Sequence, residues 1–308
     1  MSDPLVTQLT ASVAGEVRGD AALSALTTLR VGGPARVLVT AERDEDLAAV
    51  GRAAAEHGVG WLVVGRGSNL LVADRGWPGI AVQLGRSYRG VAIQGGQVRA
   101  GAAAPLPTLA VRLADAGLTG FAWGCAVPGT VGGAVRMNAG AHGGEMADHL
   151  VSAEVVRLTS GVRETWPVAV LGLGYRRSSL PSDAVVVAAT LALSPGTPEV
   201  IRAEIEDIRR WRREHQPLNE PNCGSVFVNP PGDSAGRLID QVGGKTIAVG
   251  GARVSSRHAN FIVTRPGACA ADVRAVMRAV ADRVATRTGI ELRTEVVMVG
   301  EFAEDRGS

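Results

Sequence analysis

Residues 124–144 read GCAVPGTVGGAVRMNAGAHGG, and the rest of the chain is best interpreted around this stretch. Seven glycines stand here among small apolar residues, so the run cannot form a core of its own. Glycine lacks a Cβ and tolerates a positive φ, which lets backbone N–H groups approach a ligand closely. A set of purely structural turns is the alternative. The length of the run, its Pro128-Gly129-Thr130 turn and the polar Asn138 favour a cofactor-binding loop.

A second glycine-rich loop follows a predicted β-α-β unit at residues 36–64. It reads Gly65-Arg66-Gly67-Ser68-Asn69-Leu70, with Leu70 where the dinucleotide fingerprint G-x-G-x-x-G has its third glycine. The loop also lacks the Gly-Lys-Ser/Thr ending of a P-loop. A turn rich in Gly, Ser and Asn can still present N–H groups to a diphosphate. A simple turn at the end of a strand is the other interpretation.

The apolar periodicity of the whole chain predicts an α+β fold, with a linker at Ser194–Pro198. The first part is expected to contain a hairpin region over 80–100, a helix over 105–116 and strands over 151–158 and 185–193. The second part is expected to contain helices over 199–214, 234–242 and 270–288, and strands over 260–264 and 295–299.

Composition places the chain among globular proteins that act on small molecules. Of its 308 residues 46% are hydrophobic and 20% charged, and a net charge of +2 gives no basis for binding nucleic acid or an anionic membrane. No apolar run approaches the ~20 residues of a membrane span. Residues 1–20 lack a basic segment followed by an apolar one, so no signal peptide is expected. We therefore expect a soluble cytoplasmic protein without membrane insertion.

Cysteine and histidine spacing gives no support for a metal site. Cys125, Cys223 and Cys269 are far apart and form no Cys-x-x-Cys pair, which predicts reduced thiols. The five histidines do not fall at metal-ligand spacing. His-Glu-x-x-His, Gly-x-Ser-x-Gly and EF-hand signatures are absent as well. No metal is expected.

Isolated polar residues in apolar surroundings are the remaining candidates for chemistry. Ser225 lies between a glycine and an apolar pair, so its hydroxyl points either into a confined site or into a turn. Glu295 opens an apolar strand, and an exposed strand end is the alternative interpretation there. Tyr175 and Arg176 lie in a predicted loop, where polar residues tend to serve function.

Seven segments, in order from about Leu26 to Gly300, resemble the UDP-N-acetylenolpyruvoylglucosamine reductase family. They are TTLRVGGPA (27–35), VVGRGSNLLVAD (63–74), PGTVGGAVRMNAGAHGGE (128–145), YRRSS (175–179), GSVFVNPPGDSAGRLID (224–240), VGGARVSSRHANFIV (249–263) and EVVMVG (295–300). The resemblance implies a two-lobed FAD-binding domain of the vanillyl-alcohol-oxidase type, followed by an α+β substrate-binding domain. On this pattern the first lobe is 1–75, the second lobe 76–197 and the substrate-binding domain 198–308.

The resemblance also implies a role for individual residues. The FAD diphosphate would be held by Gly65, Arg66, Gly67, Ser68, Asn69, Leu70, Pro128, Gly129, Thr130, Gly132 and Gly133. The flavin would be approached by Asn138, Ala139 and Gly140. The catalytic residues would be Arg176, Ser225 and Glu295, and the substrate contacts Tyr175, Arg213 and Asn229.

The implied reaction reduces UDP-N-acetylglucosamine enolpyruvate to UDP-N-acetylmuramate in peptidoglycan precursor synthesis, with FAD and NADPH as cofactors. The residue types suit it. A guanidinium at Arg176, aided by a protonated Glu295 carboxyl, would stabilise charge that builds on the substrate as an enolate. The hydroxyl of Ser225 can protonate an enolate carbon, which is a strong base, in a dry site. A monomer is expected.

Three positions depart from the family pattern. Val228 and His215 stand where lysines are usual, and His142 replaces a common tyrosine. Arg212 or Arg213 would then supply positive charge for the diphosphate end of the substrate. The loop after the YRRSS motif is short, as in the shorter subclass of the family that lacks an inserted substrate-capping segment.

Three other functions compete with the reductase. A flavin oxidase of the same domain type would act on an alcohol or a sugar, and covalent flavin attachment would mark it. A nucleotide-sugar-binding protein without activity is suggested by Val228 and His215, but the presence of all three catalytic residues opposes it. An NAD-dependent Rossmann dehydrogenase is disfavoured by the missing third glycine at Leu70.

Overall fold

The computed structural model describes residues 3–302 as a mixture of helices and strands, which is the predicted α+β class. The helices are α1 (Pro4–Ser12), α2 (Asp44–Glu56), α3 (Leu106–Asp115), α4 (Val131–Met137), α5 (Pro198–His215), α6 (Ala235–Gln241) and α7 (Ala270–Thr288). The strands are β1 (Val17–Ala22), β2 (Pro34–Ala41), β3 (Trp61–Val63), β4 (Leu70–Val72), β5 (Trp77–Leu84), β6 (Val91–Gln94), β7 (Gln97–Gly101), β8 (Leu118–Thr119), β9 (Gly140–Ala141), β10 (Gly144–Glu145), β11 (Leu150–Arg157), β12 (Arg163–Pro167), β13 (Ala184–Ala192), β14 (Ser194–Pro195), β15 (Ala248–Val249), β16 (Ala252–Val254), β17 (Ile262–Thr264) and β18 (Val297–Val299).

The chain divides into two compact units built from interleaved segments. Within the described residues, the first unit comprises residues 3–19, Val37–Arg66 and Gly79–Arg212, and the second comprises Asp20–Arg36, Gly67–Pro78 and residues 213–302. The assignment of 1–75, 76–197 and 198–308 to cofactor and substrate binding stays a prediction.

The first unit contains two packed cores. One lies where α1 and α2 pack against β2 and β5, and it buries Leu5, Leu47, Val39 and Val82. The other lies against the antiparallel sheet β12-β11-β13-β7-β6. Helix α3 covers this core with leucines at 106, 109 and 113, the i, i+3, i+7 spacing that places side chains on one face of a helix. The predicted helix over 105–116 and the predicted strands over 151–158 and 185–193 are confirmed.

Helix α5 shows where the linker prediction at Ser194–Pro198 is wrong. Ser194 and Pro195 form β14, which pairs with β8, and α5 begins at Pro198. The predicted amphipathic face of α5 is confirmed, since its isoleucines at 201, 205 and 208 are buried. These isoleucines belong to the core of the first unit, so the last passage of the chain into the second unit comes after Arg212, near the end of the helix.

The second unit is organised around α7, whose predicted span is confirmed from Ala270 to Thr288. Gly289 ends the helix in the left-handed conformation with φ +73°, a conformation that favours glycine. The apolar face of α7 packs against α6 and the sheet β15-β16-β17. The same core includes Leu29 and Leu71, so segments from the N-terminal third of the chain complete it.

The final strand of the second unit is shorter than predicted. β18 covers only Val297–Val299 and runs parallel to β4, with Val297 opposite Leu70. Within residues 3–302, no helix has the length and apolar character needed to cross a lipid bilayer.

Candidate active site

The glycine-rich stretch folds into a short helix and a hairpin. Thr130 immediately precedes α4, and Asn138 ends it in the left-handed conformation, with φ +40°. Asparagine is one of the few residues other than glycine that adopt this conformation readily. The chain then forms the β9–β10 hairpin, in which Gly140 lies opposite Glu145.

A cavity of about 360 Å³ lies in the first unit and is bordered by the start of α4. Thr130, Gly132 and Gly133 line it together with Gly65 and Arg66 of the second glycine-rich loop. Other parts of its wall come from the end of β5, from residues 102–105 and from the start of β13. Pro128 and Gly129 precede the lining residues directly in the chain. The two predicted cofactor loops therefore meet, in part, at one cavity.

Basic side chains dominate the charge at this cavity. Arg66, Arg86, Arg89 and Arg136 line it, and Glu42 is the acidic residue among the lining side chains. The backbone N–H of Ser87 donates to a Glu42 carboxylate oxygen at 3.0 Å, and this bond lowers the pKa of the carboxyl group. The carboxylate is thus already satisfied by the protein, and the excess of guanidinium groups suits an anionic ligand such as a diphosphate.

The glycines that line the cavity differ in the room that the protein leaves beside them. A Cβ at Gly65 would lie 3.0 Å from the hydroxyl oxygen of Thr130, and one at Gly132 would lie 3.0 Å from the methyl of Ala102. A side chain at either position would therefore be crowded by the protein itself. A Cβ at Gly133 would meet its nearest atom at 3.8 Å, so the protein itself leaves room there. The N–H groups of Val131 and Gly132 already donate to the carbonyls of Ala104 and Ala102, at 3.0 and 2.9 Å. Room at Gly133 in a cavity lined by arginines fits a closely approaching phosphate group.

The second half of the Gly65–Leu70 loop belongs to the second unit. Gly67 has φ +57°, and a Cβ there would lie 2.2 Å from the carbonyl oxygen of Leu26. The fold alone therefore explains this glycine. Asn69 donates from Nδ2 to the carbonyl of Glu295 at 3.1 Å, and Leu70 begins β4. Ser68, which lies between Gly67 and Asn69 in the chain, is half-buried. Cofactor contacts for Gly67, Ser68, Asn69 and Leu70 stay predictions.

Arg176 lies in the first unit, in a turn between β12 and β13. Its φ of +56° is uncommon for a residue other than glycine. The Nη2 atom donates to the carbonyl of Gly140 at 2.8 Å, and the guanidinium carbon lies 4.8 Å from the centre of the Tyr175 ring. Tyr175 is 46% exposed, so its ring is accessible to a ligand.

Asn138 supports the same turn. Its side chain is fully buried, with Nδ2 donating to the carbonyl of Gly174 at 3.1 Å. Its Oδ1 accepts from the backbone N–H of Ala147 at 2.9 Å. Ala139 and Gly140 follow it, half-buried. The structure thus brings Asn138 and Gly140, which were predicted to approach the flavin, together with Arg176, which was predicted to be catalytic.

Ser225 and Glu295 lie in the second unit on two extended segments that pair with each other. The N–H of Glu295 donates to the carbonyl of Val226 at 2.8 Å, and the N–H of Val228 donates to the carbonyl of Arg293 at 2.9 Å. Ser225 and Glu295 are both half-buried. Residues 70 positions apart in the chain are therefore held on neighbouring backbone segments, a relationship that their separate motifs could not reveal.

Asn260 is a residue that sequence reasoning missed. It is buried, and its amide forms two bonds with the backbone of Phe227, donating to the carbonyl at 2.8 Å and accepting from the N–H at 2.9 Å. The carbonyl of Asn260 also accepts from the N–H of Val226 at 2.9 Å. The one feature of the sequence that could have indicated its importance is its position in the family-like segment RHANFIV, residues 257–263. This asparagine fixes the segment that carries Ser225.

Comparison with known proteins decides the family. A UDP-N-acetylenolpyruvoylglucosamine reductase from Heliobacterium modesticaldum is 42% identical over 298 residues, covering 96% of this chain and 95% of its own. One from Anaeromyxobacter sp. is 46% identical over 294 residues, covering 95% and 92%. The chain belongs to the UDP-N-acetylenolpyruvoylglucosamine reductase family. This is a family of oxidoreductases.

Family models and a solved structure agree with this membership. The FAD binding domain matches residues 35–165, and the C-terminal domain of UDP-N-acetylenolpyruvoylglucosamine reductase matches residues 216–299. The crystal structure of the reductase from Thermus caldophilus is similar to this chain with a TM-score of 0.79 and 38% identity, covering 92% of this chain and 98% of that one. An FAD-binding domain followed by a family-specific C-terminal domain is thereby confirmed.

The predicted substrate contacts have different local surroundings in this reductase family member. Asn229 is exposed, and its Oδ1 accepts from the N–H of Ala235 at the start of α6, at 3.0 Å. Arg213 is exposed, and its carbonyl accepts from Nη1 of Arg257 at 2.8 Å. Val228, which stands in place of the usual lysine, is buried. Roles for Asn229 and Arg213 stay predictions.

The region around His142 forms a small cluster at the end of α5. The rings of His142 and Trp211 meet edge to face, with 5.1 Å between their centres. Burial lowers the pKa of His142, and the charge of Arg212 lowers it further. The imidazole is therefore neutral at neutral pH, so Arg212 carries the positive charge of this pair.

Proposed function

We propose that this chain catalyses the NADPH-dependent reduction of UDP-N-acetylglucosamine enolpyruvate to UDP-N-acetylmuramate, a step in peptidoglycan precursor synthesis. Family membership supports the reaction class. The observation that carries the proposal is the pairing of the segments bearing Ser225 and Glu295, joined by the 2.8 Å bond from Glu295 N–H to the Val226 carbonyl. The hydroxyl of Ser225 and the carboxyl group of Glu295 thus belong to neighbouring backbone segments that are hydrogen-bonded to each other.

FAD is the cofactor that the matched FAD-binding domain implies. When bound, it supplies the transfer of hydride from NADPH to the β-carbon of the enolpyruvyl group. The residues proposed to hold its diphosphate are those of the two glycine-rich loops, Gly65 to Leu70 and Pro128 to Gly133. The arginines that line the cavity of the first unit would neutralise the diphosphate charge. Asn138, Ala139 and Gly140 lie on the segment proposed to approach the flavin.

The remaining steps are carried by residues of the chain. Negative charge builds on the substrate carboxylate as the enolate forms, and the guanidinium of Arg176 stabilises it. The carboxyl group of Glu295, in its protonated form, donates a hydrogen bond to the same charge. The hydroxyl of Ser225 then gives its proton to the α-carbon, which is basic enough to accept it. Each role is the one that the family resemblance implies, and the residue type suits it.

Substrate binding is assigned to three exposed polar residues. Tyr175 offers an accessible ring beside Arg176. Asn229 follows the Ser225 segment, and Arg213 supplies charge for the diphosphate of the nucleotide sugar in place of the lysines missing at Val228 and His215. The protein would work as a monomer in the cytoplasm, where NADPH and the nucleotide sugar are found, without nucleic-acid partners.

The test is an anaerobic visible spectrum of the purified protein. Addition of one equivalent of NADPH should bleach the flavin band, and UDP-N-acetylglucosamine enolpyruvate should restore it. Recovery only on admission of air would favour the flavin oxidase and overturn the reductase. A colourless protein that cannot be reconstituted with FAD would overturn the cofactor assignment.

Replacement of the proton donor tests the chemistry. In Ser225→Ala, reduction of the flavin by NADPH should remain within threefold of the native rate. Reoxidation by the enolpyruvyl substrate should fall by at least a thousandfold, because the α-carbon has lost its proton source. An equal loss in both half-reactions would contradict the role of Ser225.

A further inference from the structure

The turn that carries Arg176 is held by one short segment, residues 136–140. Gly174 at its start accepts from Nδ2 of Asn138 at 3.1 Å. The guanidinium of Arg176 itself donates to the carbonyl of Gly140 at 2.8 Å. Ser178 donates from its hydroxyl to the carbonyl of Arg136 at 2.6 Å. The turn is therefore fastened at its beginning, at its tip and at its end to the same segment.

Asn138 is the central member of this segment and the most deeply buried. Its side chain is 0% exposed, and the two ends of its amide reach in different directions. Nδ2 bonds Gly174 in the turn, whereas Oδ1 accepts from the N–H of Ala147 at 2.9 Å, on the far side of the β9–β10 hairpin. These two hydrogen bonds of the amide therefore connect the turn to the segment that follows the hairpin.

The conformation of Arg176 needs such support. A φ of +56° crowds the Cβ of any side chain against its own backbone, so the turn would relax without contacts that hold it. Mutual hydrogen bonds between Gly174 and Arg177, both at 3.1 Å, close the turn. The position of the closed turn is set by its bonds to residues 136–140. Among these, the bond from Asn138 comes from a buried side chain and fixes the carbonyl of Gly174, two residues before Arg176.

We infer that Asn138 is a positioning residue for Arg176: it holds the turn so that the guanidinium meets the developing charge of the substrate. The inference rests on the proposed role of Arg176 in that reaction. On this inference the asparagine side chain is needed to hold the turn, and a direct contact between that side chain and the flavin is not. Thr130, which precedes α4, lines the cavity, and Asn138 follows the helix at its other end. One helix therefore connects the cavity proposed to bind FAD with the turn that carries Arg176.

Asn138→Gly tests the inference with little backbone disturbance. Glycine adopts the left-handed conformation of this position and lacks only the amide. We expect reoxidation of the reduced flavin by the enolpyruvyl substrate to slow ten- to a hundredfold. Reduction by NADPH and FAD affinity should stay within threefold of native values. Leu9→Ala, a buried change in α1 of the same unit, is the control for a general loss of thermal stability.

A double-mutant comparison separates positioning from a merely structural role. If Asn138 acts through Arg176, then N138G should slow reoxidation strongly in the native background and by less than twofold in an R176M background. The same factor in both backgrounds would overturn the inference. So would an equal slowing of both half-reactions by N138G.

The failure of this inference and of the proposed function can be told apart. If R176M slows reoxidation strongly and N138G does not, the positioning role is wrong and the role of Arg176 stands. If R176M leaves reoxidation unchanged, the proposed role of Arg176 and the positioning inference are both wrong.

Discussion

The side-chain amide of Asn69 donates a hydrogen bond to the backbone carbonyl of Glu295, with 3.1 Å between Nδ2 and O. The backbone of Asn69 repeats the connection, since its carbonyl accepts from the N–H of Val297 at 3.1 Å. Strands β4 and β18 then continue side by side in parallel. A loop predicted to hold a diphosphate thus also fixes the backbone of the proposed catalytic carboxyl.

Asn69→Ala should therefore slow catalysis even in protein saturated with FAD. Loss of one hydrogen bond of about 1 kcal/mol that holds Glu295 should slow flavin reoxidation by the enolpyruvyl substrate about fivefold. Quenching of flavin fluorescence measures FAD affinity and shows when the protein is saturated. Ser68→Ala, at another residue of the proposed diphosphate loop, is the comparison for FAD affinity. An N69A protein that reoxidises at the native rate once saturated with FAD would show that Asn69 does not position Glu295.

Asn260→Ala should destabilise the second unit. The change removes both bonds to Phe227 and leaves a buried N–H and carbonyl without partners, which should lower the free energy of unfolding by about 2–4 kcal/mol. Urea denaturation measures this loss. Asn222→Ala is the matched control, because that asparagine also bonds nearby backbone but is only half-buried. An equal or smaller loss for N260A than for N222A would disprove the importance of burial here.

His258 makes stability depend on pH. Burial lowers its pKa, and the charges of Lys245 and His215 lower it further. Its Nδ1 accepts from the N–H of Asn260 at 3.2 Å, which requires that this nitrogen be unprotonated. Because the folded pKa lies below the unfolded value of about 6.5, the unfolded chain binds the proton first. The stabilisation is complete above that value and is lost as the pH falls through the folded pKa.

Urea unfolding at pH 8 and pH 5.5 measures this effect. The native protein should lose stability between the two values, and His258→Asn, which keeps an acceptor for Asn260, should lose less. His142→Asn serves as a comparison, because the pKa of His142 is lowered in the same direction at an exposed position. An unchanged pH dependence in H258N would rule out His258 as its source.

Gly133→Ala should separate cofactor binding from folding. A Cβ there has 3.8 Å of clearance, and alanine favours a helix over glycine by roughly 0.5–1 kcal/mol, so the apoprotein should be as stable or slightly more so. The added methyl projects where the cofactor is proposed to approach, and FAD affinity should fall at least tenfold.

Fluorescence titration of the apoprotein with FAD measures the affinity of G133A, and thermal unfolding measures its stability. Gly90→Ala is the control, because a Cβ at Gly90 meets no atom within 4 Å and Gly90 does not line the cavity. FAD binding by G133A at native affinity would exclude a close approach of the cofactor to this residue.

The sequence by itself predicted the fold class, the family and five of the seven helices in the described residues; α1 and α4 were missed. Helices α3 and α7 were predictable because their signals are local: apolar residues at helical spacing on one face and a glycine just past the end. The glycine-rich loops predicted a nucleotide-type cofactor for a similar reason. Close approach of the backbone to a ligand requires glycine locally, independently of the rest of the fold.

Only the tertiary structure decided what the polar residues bond and which segments share a core. Asn138, Asn260 and Asn69 bond backbone groups 36, 33 and 226 residues away, and one sequence carries no local signal of such a partner. The linker prediction failed likewise, because the pairing of β14 with β8 joins positions about 75 residues apart. Hydrophobic periodicity shows which face of α5 is buried. Because the hydrophobic effect is non-directional, the periodicity does not specify against which core that face packs.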